Sequence, residues 1–337
     1  MIRPVMTAWL LVSAMTLWAS TQGAMPISTE QGITALQAWL RSDGQTPEGA
    51  DYVLMYIRVP RVVLAVLVGA ALGLSGALTQ ALFRNPLADP GILGVTSGAA
   101  CTTALALILI SGAASAPWLP LAAFVGAMMV CLLLDQLARW LAPGSIAGLV
   151  MAGMAVNAVG SALIGLSTYL ADDDQLRSLS FWLLGSVAQA NWQVVSVLAA
   201  VLLLTYPLAM ARRTLLNALA LGDDVAAEVG VNVPRLRWQT IALIALTCGA
   251  AVAWCGIVSF VGLLAPHLAR AWAQSDDQRK VLPLSVVIGS ALLLSADTLA
   301  RSLVQPAEIP VGILTALLGG GVLLWKIQSL ARRQRGL

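Results

Sequence analysis

The 337-residue chain has few charged residues and almost no histidine or lysine. Charged side chains make up 10% of it, against about a quarter in soluble proteins, and the mean hydropathy is +0.85. A single histidine, His267, excludes His-rich metal sites and two-imidazole relays. The two lysines follow Arg279 and Trp325 rather than a glycine, so no ATP-binding P-loop is present. These absences predict a membrane protein that is not an enzyme, with no catalytic residue and no metal site.

The cysteines and the net charge point to no further chemistry. All four cysteines fall inside apolar runs, which predicts small core residues rather than disulfides: Cys101, Cys131, Cys248 and Cys255. The net charge of +3 reflects arginines near the ends of apolar runs, and it predicts no nucleic-acid binding.

Apolar runs long enough to cross a bilayer recur along the chain and predict an all-α polytopic protein. We treat residues 1–337 as one transmembrane domain, with an external loop at 23–57 and a cytoplasmic segment at 212–237. Ten spans are predicted, at residues 5–22, 62–82, 92–111, 118–138, 146–168, 192–211, 238–256, 258–273, 281–303 and 309–327.

The distribution of basic residues supports this count, because Lys and Arg gather on the cytoplasmic side of membrane proteins. With both termini inside, most of the 19 basic residues are cytoplasmic, and the external ones are Arg41, Arg58, Arg61, Arg177 and Arg301. A cleaved signal peptide is the alternative reading of the first 20 residues. It would leave nine spans and move the C-terminal arginines to the opposite side, so we favour a span.

Residues 58–99 hold two apolar runs separated by Arg84-Asn85-Pro86. Gly69 and Gly73 in the first run, and Gly94 and Gly98 in the second, are each four residues apart, which predicts grooves for close helix packing. The ordered string Arg58, Pro60-Arg61, Gly69-Ala70, Ser75-Gly76, Gln80, Asn85-Pro86-Leu87-Ala88-Asp89-Pro90, Gly94 and Ser97-Gly98-Ala99 resembles the signature of the FecCD family, the permeases of ABC importers for iron chelates and vitamin B12. Further matching strings lie at 259–270 and 309–319.

The resemblance implies a fold like that of the vitamin B12 importer permease and a set of partners. It implies a homodimer in the bacterial inner membrane, two copies of a cytoplasmic ABC ATPase and a periplasmic substrate-binding protein. One departure from the family pattern is Gly320-Gly321-Val322, where the family usually has a proline and an aromatic residue.

The segment 212–237 is the longest cytoplasmic one, and it contains a short predicted helix after Gly222-Asp223 that ends at Gly230. Its residues 221–231 resemble the coupling-helix motif of ABC importer permeases. The residues that this implies for ATPase coupling are Leu221, Gly222, Asp223, Ala226, Ala227 and Gly230. An amphipathic helix lying on the membrane surface is the alternative.

Three arginines lie at predicted outer helix ends: Arg58, Arg61 and Arg301. The resemblance implies that they dock the binding protein through its glutamates, because guanidinium groups hold carboxylates with two parallel bonds. Membrane-anchoring arginines are the alternative. Asp297 stands four residues before Arg301, so a pair within the helix competes for Arg301.

Small residues dominate the span at 146–168, which suits a helix bordering a pathway. Asn157 and Ser161 share one face of it and are the predicted pathway residues, although helix packing alone explains them as well. Asp172-Asp173-Asp174 is interpreted as a turn and helix cap rather than a calcium loop, and His267 as a structural residue rather than a haem ligand.

The stretch 170–185 most resembles the haem-importing branch, so haem is the favoured cargo, followed by a ferric siderophore and then cobalamin. The cargo is carried as a substrate, and no covalently bound cofactor is expected. A proton-driven secondary transporter is the alternative from another class. It would need more buried carboxylates than Asp135 and Asp297.

Overall fold

A computed structural model describes residues 2–22, 48–110, 112–141, 146–304 and 307–334, together with five isolated positions between 30 and 37. Every regular element in these ranges is helical. The helices are α1 Ile2–Thr21, α2 Gly49–Phe83, α3 Val95–Leu109, α4 Leu119–Leu141, α5 Ile146–Leu170, α6 Asp173–Leu184, α7 Trp192–Ala220, α8 Asp223–Glu228, α9 Val233–Cys255, α10 Val261–Ala273, α11 Gln278–Ala300 and α12 Val311–Gln334.

Each predicted span coincides with one of these helices, and the two short helices α6 and α8 lie between spans, which confirms the polytopic all-α prediction. By length and hydropathy alone, and only within the described ranges, five helices can cross a membrane: α2, α5, α7, α9 and α11. Following the orientation predicted from the sequence, we call the end of the bundle that contains Arg84 the inner end and the end that contains Arg61 the outer end.

Two boundaries differ from the sequence prediction. Residues 49–57, assigned to the external loop, are helical and form the start of α2, which is π-helical over Val53–Arg58. Most of the loop at 23–47 lies outside the described residues. Gly94 lies outside the helix, with a left-handed φ of 68° just before α3 begins, but it packs closely, because a Cβ there would lie 2.8 Å from Cγ1 of Val130 in α4. Gly98, inside α3, also packs closely, against the Gly126 carbonyl of α4.

The centre of the bundle is the crossing of α2 and α11, where the predicted groove of α2 is confirmed. A Cβ placed on Gly69 would lie 2.2 Å from the Gly289 carbonyl oxygen, and one on Gly73 would lie 2.1 Å from the Ser285 carbonyl oxygen. Because glycine has no side chain, the two backbones come into contact. Membrane helices associate through such close packing, since the surrounding lipid is itself apolar and provides no hydrophobic driving force.

The helix α5 stands apart from this core, because most of its surface is exposed in the single chain. Its exposed positions carry apolar and small side chains, among them Met151, Met154, Val159 and Leu166. An apolar helix face of this kind is normally covered by lipid or by another protein.

Asp277 caps α11 at the inner end. Its carboxylate accepts from the backbone N–H of Arg279 at 2.9 Å and from Nδ2 of Asn217 at 2.6 Å. The backbone bond from Arg279, followed by the Asn217 bond, lowers the pKa of Asp277 below its usual value. The cap therefore ties the end of α7 to the start of α11 through an ionised carboxylate.

A lowered folded-state pKa gives a stabilisation that is present above the unfolded pKa and is lost as the pH falls through the folded pKa. Asparagine caps a helix without titrating. Acidification from pH 6 to pH 3 should therefore lower the thermal midpoint of the detergent-solubilised protein more than that of Asp277→Asn. The cap is worth about 1 kcal/mol. Parallel curves for the two proteins would show that the Asp277 charge adds nothing.

Candidate functional sites

The inner-end segment 221–231 forms a compact knob between α7 and α9. Gly222 and Gly230 take φ values of 118° and 88°, which side-chain-bearing residues rarely adopt, and they bracket α8. The backbone N–H of Gly230 donates to the Ala227 carbonyl at 2.9 Å, and that of Val231 donates to the Ala226 carbonyl at 2.9 Å. The two glycines thus turn the chain into and out of a helix of 6 residues.

One side of the knob is fixed to the bundle. Arg237 of α9 donates to the Asp223 carboxylate, and Arg84, at the end of α2, lies 3.6 Å from the same group. Ala226 is completely buried. The Asp223 carboxylate therefore links the knob to α9 and to the end of α2.

The other side of the knob is open to solvent. Leu221, Val225 and Val229, which are spaced four residues apart, are exposed on it, and Ala227, Asp224 and Glu228 are exposed elsewhere on the segment. Exposed apolar side chains on a segment between spans mark an interaction surface when they are held in place rather than scattered. All six residues predicted for coupling lie in this knob, and their role in coupling stays a prediction.

The outer end holds a cluster of five charged side chains. Arg61 binds Asp297 through Nε at 3.1 Å and Nη2 at 2.9 Å, and it binds Glu308 through Nη1 at 2.8 and 3.0 Å. Arg301 lies 3.6 Å from Asp297, so the predicted pair within α11 is present but is the looser of the two Asp297 contacts.

The remaining contacts of the outer cluster hold the end of α1. Arg301 donates to the carbonyls of Ala19 and Gln22, and Arg58 donates to the carbonyl of Thr21 at 3.2 Å. Guanidinium groups at a helix C-terminus satisfy its last carbonyls and complement its dipole. Arg58 and Arg301 therefore position α1 against α2 and α11.

All three predicted docking arginines are brought together, but they are buried in the single chain rather than presented at its surface. The sequence prediction gave Asp297 as a partner of Arg301 but missed the two carboxylate partners of Arg61. Glu308 in particular was not singled out, although it stands directly before the Ile309-Pro310-Val311 string. Their role in docking stays a prediction.

The predicted pathway residues differ in their environment. Asn157 accepts a hydrogen bond from Ser97 Oγ at 2.6 Å and donates to the Gly91 carbonyl at 3.0 Å, so its amide ties α5 to the start of α3. Ser161 is exposed on α5. The amide of Asn157 is thus engaged in helix contacts, and Ser161 is the more accessible of the two. Their assignment to a pathway stays a prediction.

The other sequence assignments are placed as follows. Asp172 caps α6 and forms a reciprocal pair of bonds with Gln175, as the interpretation of the acidic run as a helix cap predicted. His267 is half-buried in the middle of α10. The side chain of Asp135 lies outside the described residues. Gly320 and Gly321 lie within α12, which continues to Gln334 despite the departure from the family pattern.

Comparison with known proteins agrees with this architecture. The family model of the FecCD transport family matches residues 10–329. The hemin transport system permease protein HmuU of Yersinia pestis is 42% identical over 92% of this chain and 93% of its own. The Fe(3+) dicitrate transport system permease protein FecC of Escherichia coli (strain K12) is 37% identical over 97% of this chain and 98% of its own.

Two further comparisons concern a permease for vitamin B12 and a solved structure. The vitamin B12 import system permease protein BtuC of Vibrio vulnificus is 38% identical over 82% of each chain. A metal-chelate type ABC transporter solved in an inward-facing conformation superposes with a TM-score of 0.82 at 30% identity, over 97% of this chain and 100% of its own.

The helical bundle is that of a multi-pass membrane permease, a transport subunit rather than an enzyme in itself. The chain belongs to the FecCD transport family and is the permease of an ABC importer.

Proposed function

We propose that this permease moves haem inward across the bacterial inner membrane. The similarity to the hemin permease over nearly the whole chain supports haem, and so does the stretch 170–185. Relatives for ferric citrate and vitamin B12 are 37% and 38% identical, so a ferric chelate and cobalamin are the alternatives. The cargo is carried without a bond being broken.

The proposed assembly is a homodimer with two ATPase subunits inside and one binding protein outside. The open apolar face of α5 supports the homodimer, because a second copy would cover the small residues that a lipid tail fills less well. Both termini would be cytoplasmic, residues 1–337 one transmembrane domain, and residues 212–237 the cytoplasmic segment facing the ATPase.

The observation that best supports ATPase coupling is the two-sided knob at 221–231. Its exposed apolar side chains would sit in a groove on the ATPase, while Asp223 links it to Arg237 and Arg84. Movement of the ATPase on binding ATP would be transmitted through these contacts to α2 and α9. Alternating access of the pathway would follow.

The proposed docking of the binding protein uses the outer-end arginines. Arg58, Arg61 and Arg301 concentrate positive charge at one point, and only two carboxylates among the described residues, Asp297 and Glu308, offset it there. An excess of positive charge at the outer end of the bundle, even on side chains buried in the single chain, attracts an acidic partner and orients its approach.

Haem uptake by proteoliposomes tests the cargo. Permease reconstituted with its ATPase and binding protein should accumulate haem only when ATP is on the ATPase side. His267→Ala should transport about as well as the wild type, because His267 is assigned to structure. Uptake is measured from the Soret absorbance of washed vesicles.

Each alternative has its own result in this assay. Transport of a ferric siderophore or cobalamin without haem would keep the permease and change the cargo. Transport without any ATPase would favour a secondary transporter. Loss of uptake in a folded His267→Ala protein would show that the assignment of His267 to structure is wrong.

A further inference from the structure

Arg61 holds two carboxylates that differ in their freedom to move. Asp297 lies inside α11, and its side chain is almost fully buried at 1% exposure. Glu308 lies in the segment before α12, and its side chain is 44% exposed. Arg61 donates three hydrogen bonds to Asp297, from Nε and Nη2, and two to Glu308, both from Nη1. Of the two, only Glu308 can leave without exposing a buried charge.

The chemistry of the Glu308 contact is the same as that proposed for docking. A partner glutamate that approached Arg61 from outside would offer a carboxylate to the nitrogen that Glu308 already occupies. Exchanging one carboxylate for another preserves the charge balance around Arg61 and the number of its bonds. The buried pair with Asp297 would stay intact throughout the exchange.

Glu308 also has space into which it can move. It borders an outer-end cavity of about 420 Å³ whose walls include Trp182 of α6 and Trp254 of α9. The same cavity is lined by Ile309 and Pro310, which lead into α12. A displaced Glu308 would therefore turn toward a solvent-accessible space between α6 and α12.

We propose that Glu308 is an internal competitor for the docking position on Arg61, and that a carboxylate of the binding protein replaces it when the complex forms. This inference rests on the proposed docking role of the arginines. It makes Glu308 a residue that sets docking affinity, since the free permease holds Arg61 with the group that the partner must displace. The exchange also frees the segment before α12 when the partner arrives.

Docking affinity of Glu308→Gln provides the test. The amide keeps the shape of glutamate but carries no charge and accepts from Arg61 with only one oxygen, so it competes less well. The permease in nanodiscs, with its ATPase, should bind the purified binding protein about three- to tenfold more tightly than the wild type, measured by biolayer interferometry at low salt. Glu308→Asp, which keeps the charge, should stay closer to the wild type.

A matched control separates local competition from general electrostatics. Asp174→Asn also removes one exposed carboxylate from the outer end, on α6, and should change the dissociation constant less than twofold. An equal gain in Asp174→Asn and Glu308→Gln would overturn the competition, because it would make the effect one of net charge. An unchanged or weakened affinity in Glu308→Gln would also overturn it.

Arg61→Lys tests the docking role beneath this inference. Lysine keeps a positive charge beside Asp297 but loses the fork that binds two oxygens at once. Weaker docking in Arg61→Lys with no gain in Glu308→Gln would leave docking in place and remove the competition. Unchanged docking in Arg61→Lys, together with no salt dependence of the wild type, would remove the docking role itself.

Discussion

Gly69→Ala is expected to abolish most of the folded, monodisperse permease. The new Cβ would lie 2.2 Å from the Gly289 carbonyl oxygen and 2.8 Å from the Ser290 Cα, and both of these are backbone atoms. Neither can rotate away, so α2 and α11 must separate along the crossing that organises the bundle. Overpacking of this kind costs about 3 kcal/mol or more, a large part of the stability of a typical protein.

The control for this variant is Gly320→Ala in α12, where a Cβ would meet nothing within 4 Å. Alanine favours a helix over glycine by about 1 kcal/mol, so this control should be neutral or slightly stabilising. Both variants are compared by size-exclusion profile and thermal midpoint in detergent. Equal midpoints for Gly69→Ala and Gly320→Ala would mean that the close crossing of α2 and α11 does not limit stability.

Val229→Asp should reduce ATP-driven uptake at least tenfold while leaving the permease folded. The Val229 side chain is 66% exposed on the knob, so a carboxylate there can point into solvent in the single chain. In the proposed complex the same carboxylate would be buried in an apolar groove without a partner. A penalty of about 1.4 kcal/mol is enough for a tenfold loss of complex, and burying an unpaired charge costs more.

Val229→Thr is the matched control, because it keeps the branched shape and adds only a hydroxyl. It should retain most of the uptake. ATPase co-purification is measured alongside uptake, and the thermal midpoint of the permease alone shows whether each variant is folded. Full assembly and uptake in Val229→Asp would place the ATPase contact somewhere other than the knob.

The spans and the coupling segment were predictable from sequence because their signals are local. An apolar run of about twenty residues has few alternatives to a membrane helix, and the two predicted breaks around α8 fall at Gly222 and Gly230, where the structure has positive φ. The spacing of Gly69 and Gly73 also sufficed to predict a packing groove. Each of these patterns lies within one element, where spacing along the chain fixes the geometry.

The partners of the charged and polar side chains were decided by tertiary structure. The spacing of four residues predicted the pair of Asp297 with Arg301, but the closer partner of Asp297 is Arg61, 236 residues away in sequence. Spacing placed Asn157 and Ser161 on one face, yet the approach of α3 engages only Asn157. Sequence by itself thus determined which segments are helices and what class of protein they build. Only the packing of α1, α2 and α11 decided that the outer arginines lie buried and that Glu308 binds Arg61. The physical reason is that the periodicity of residues within one helix does not specify which distant helix end that helix will contact.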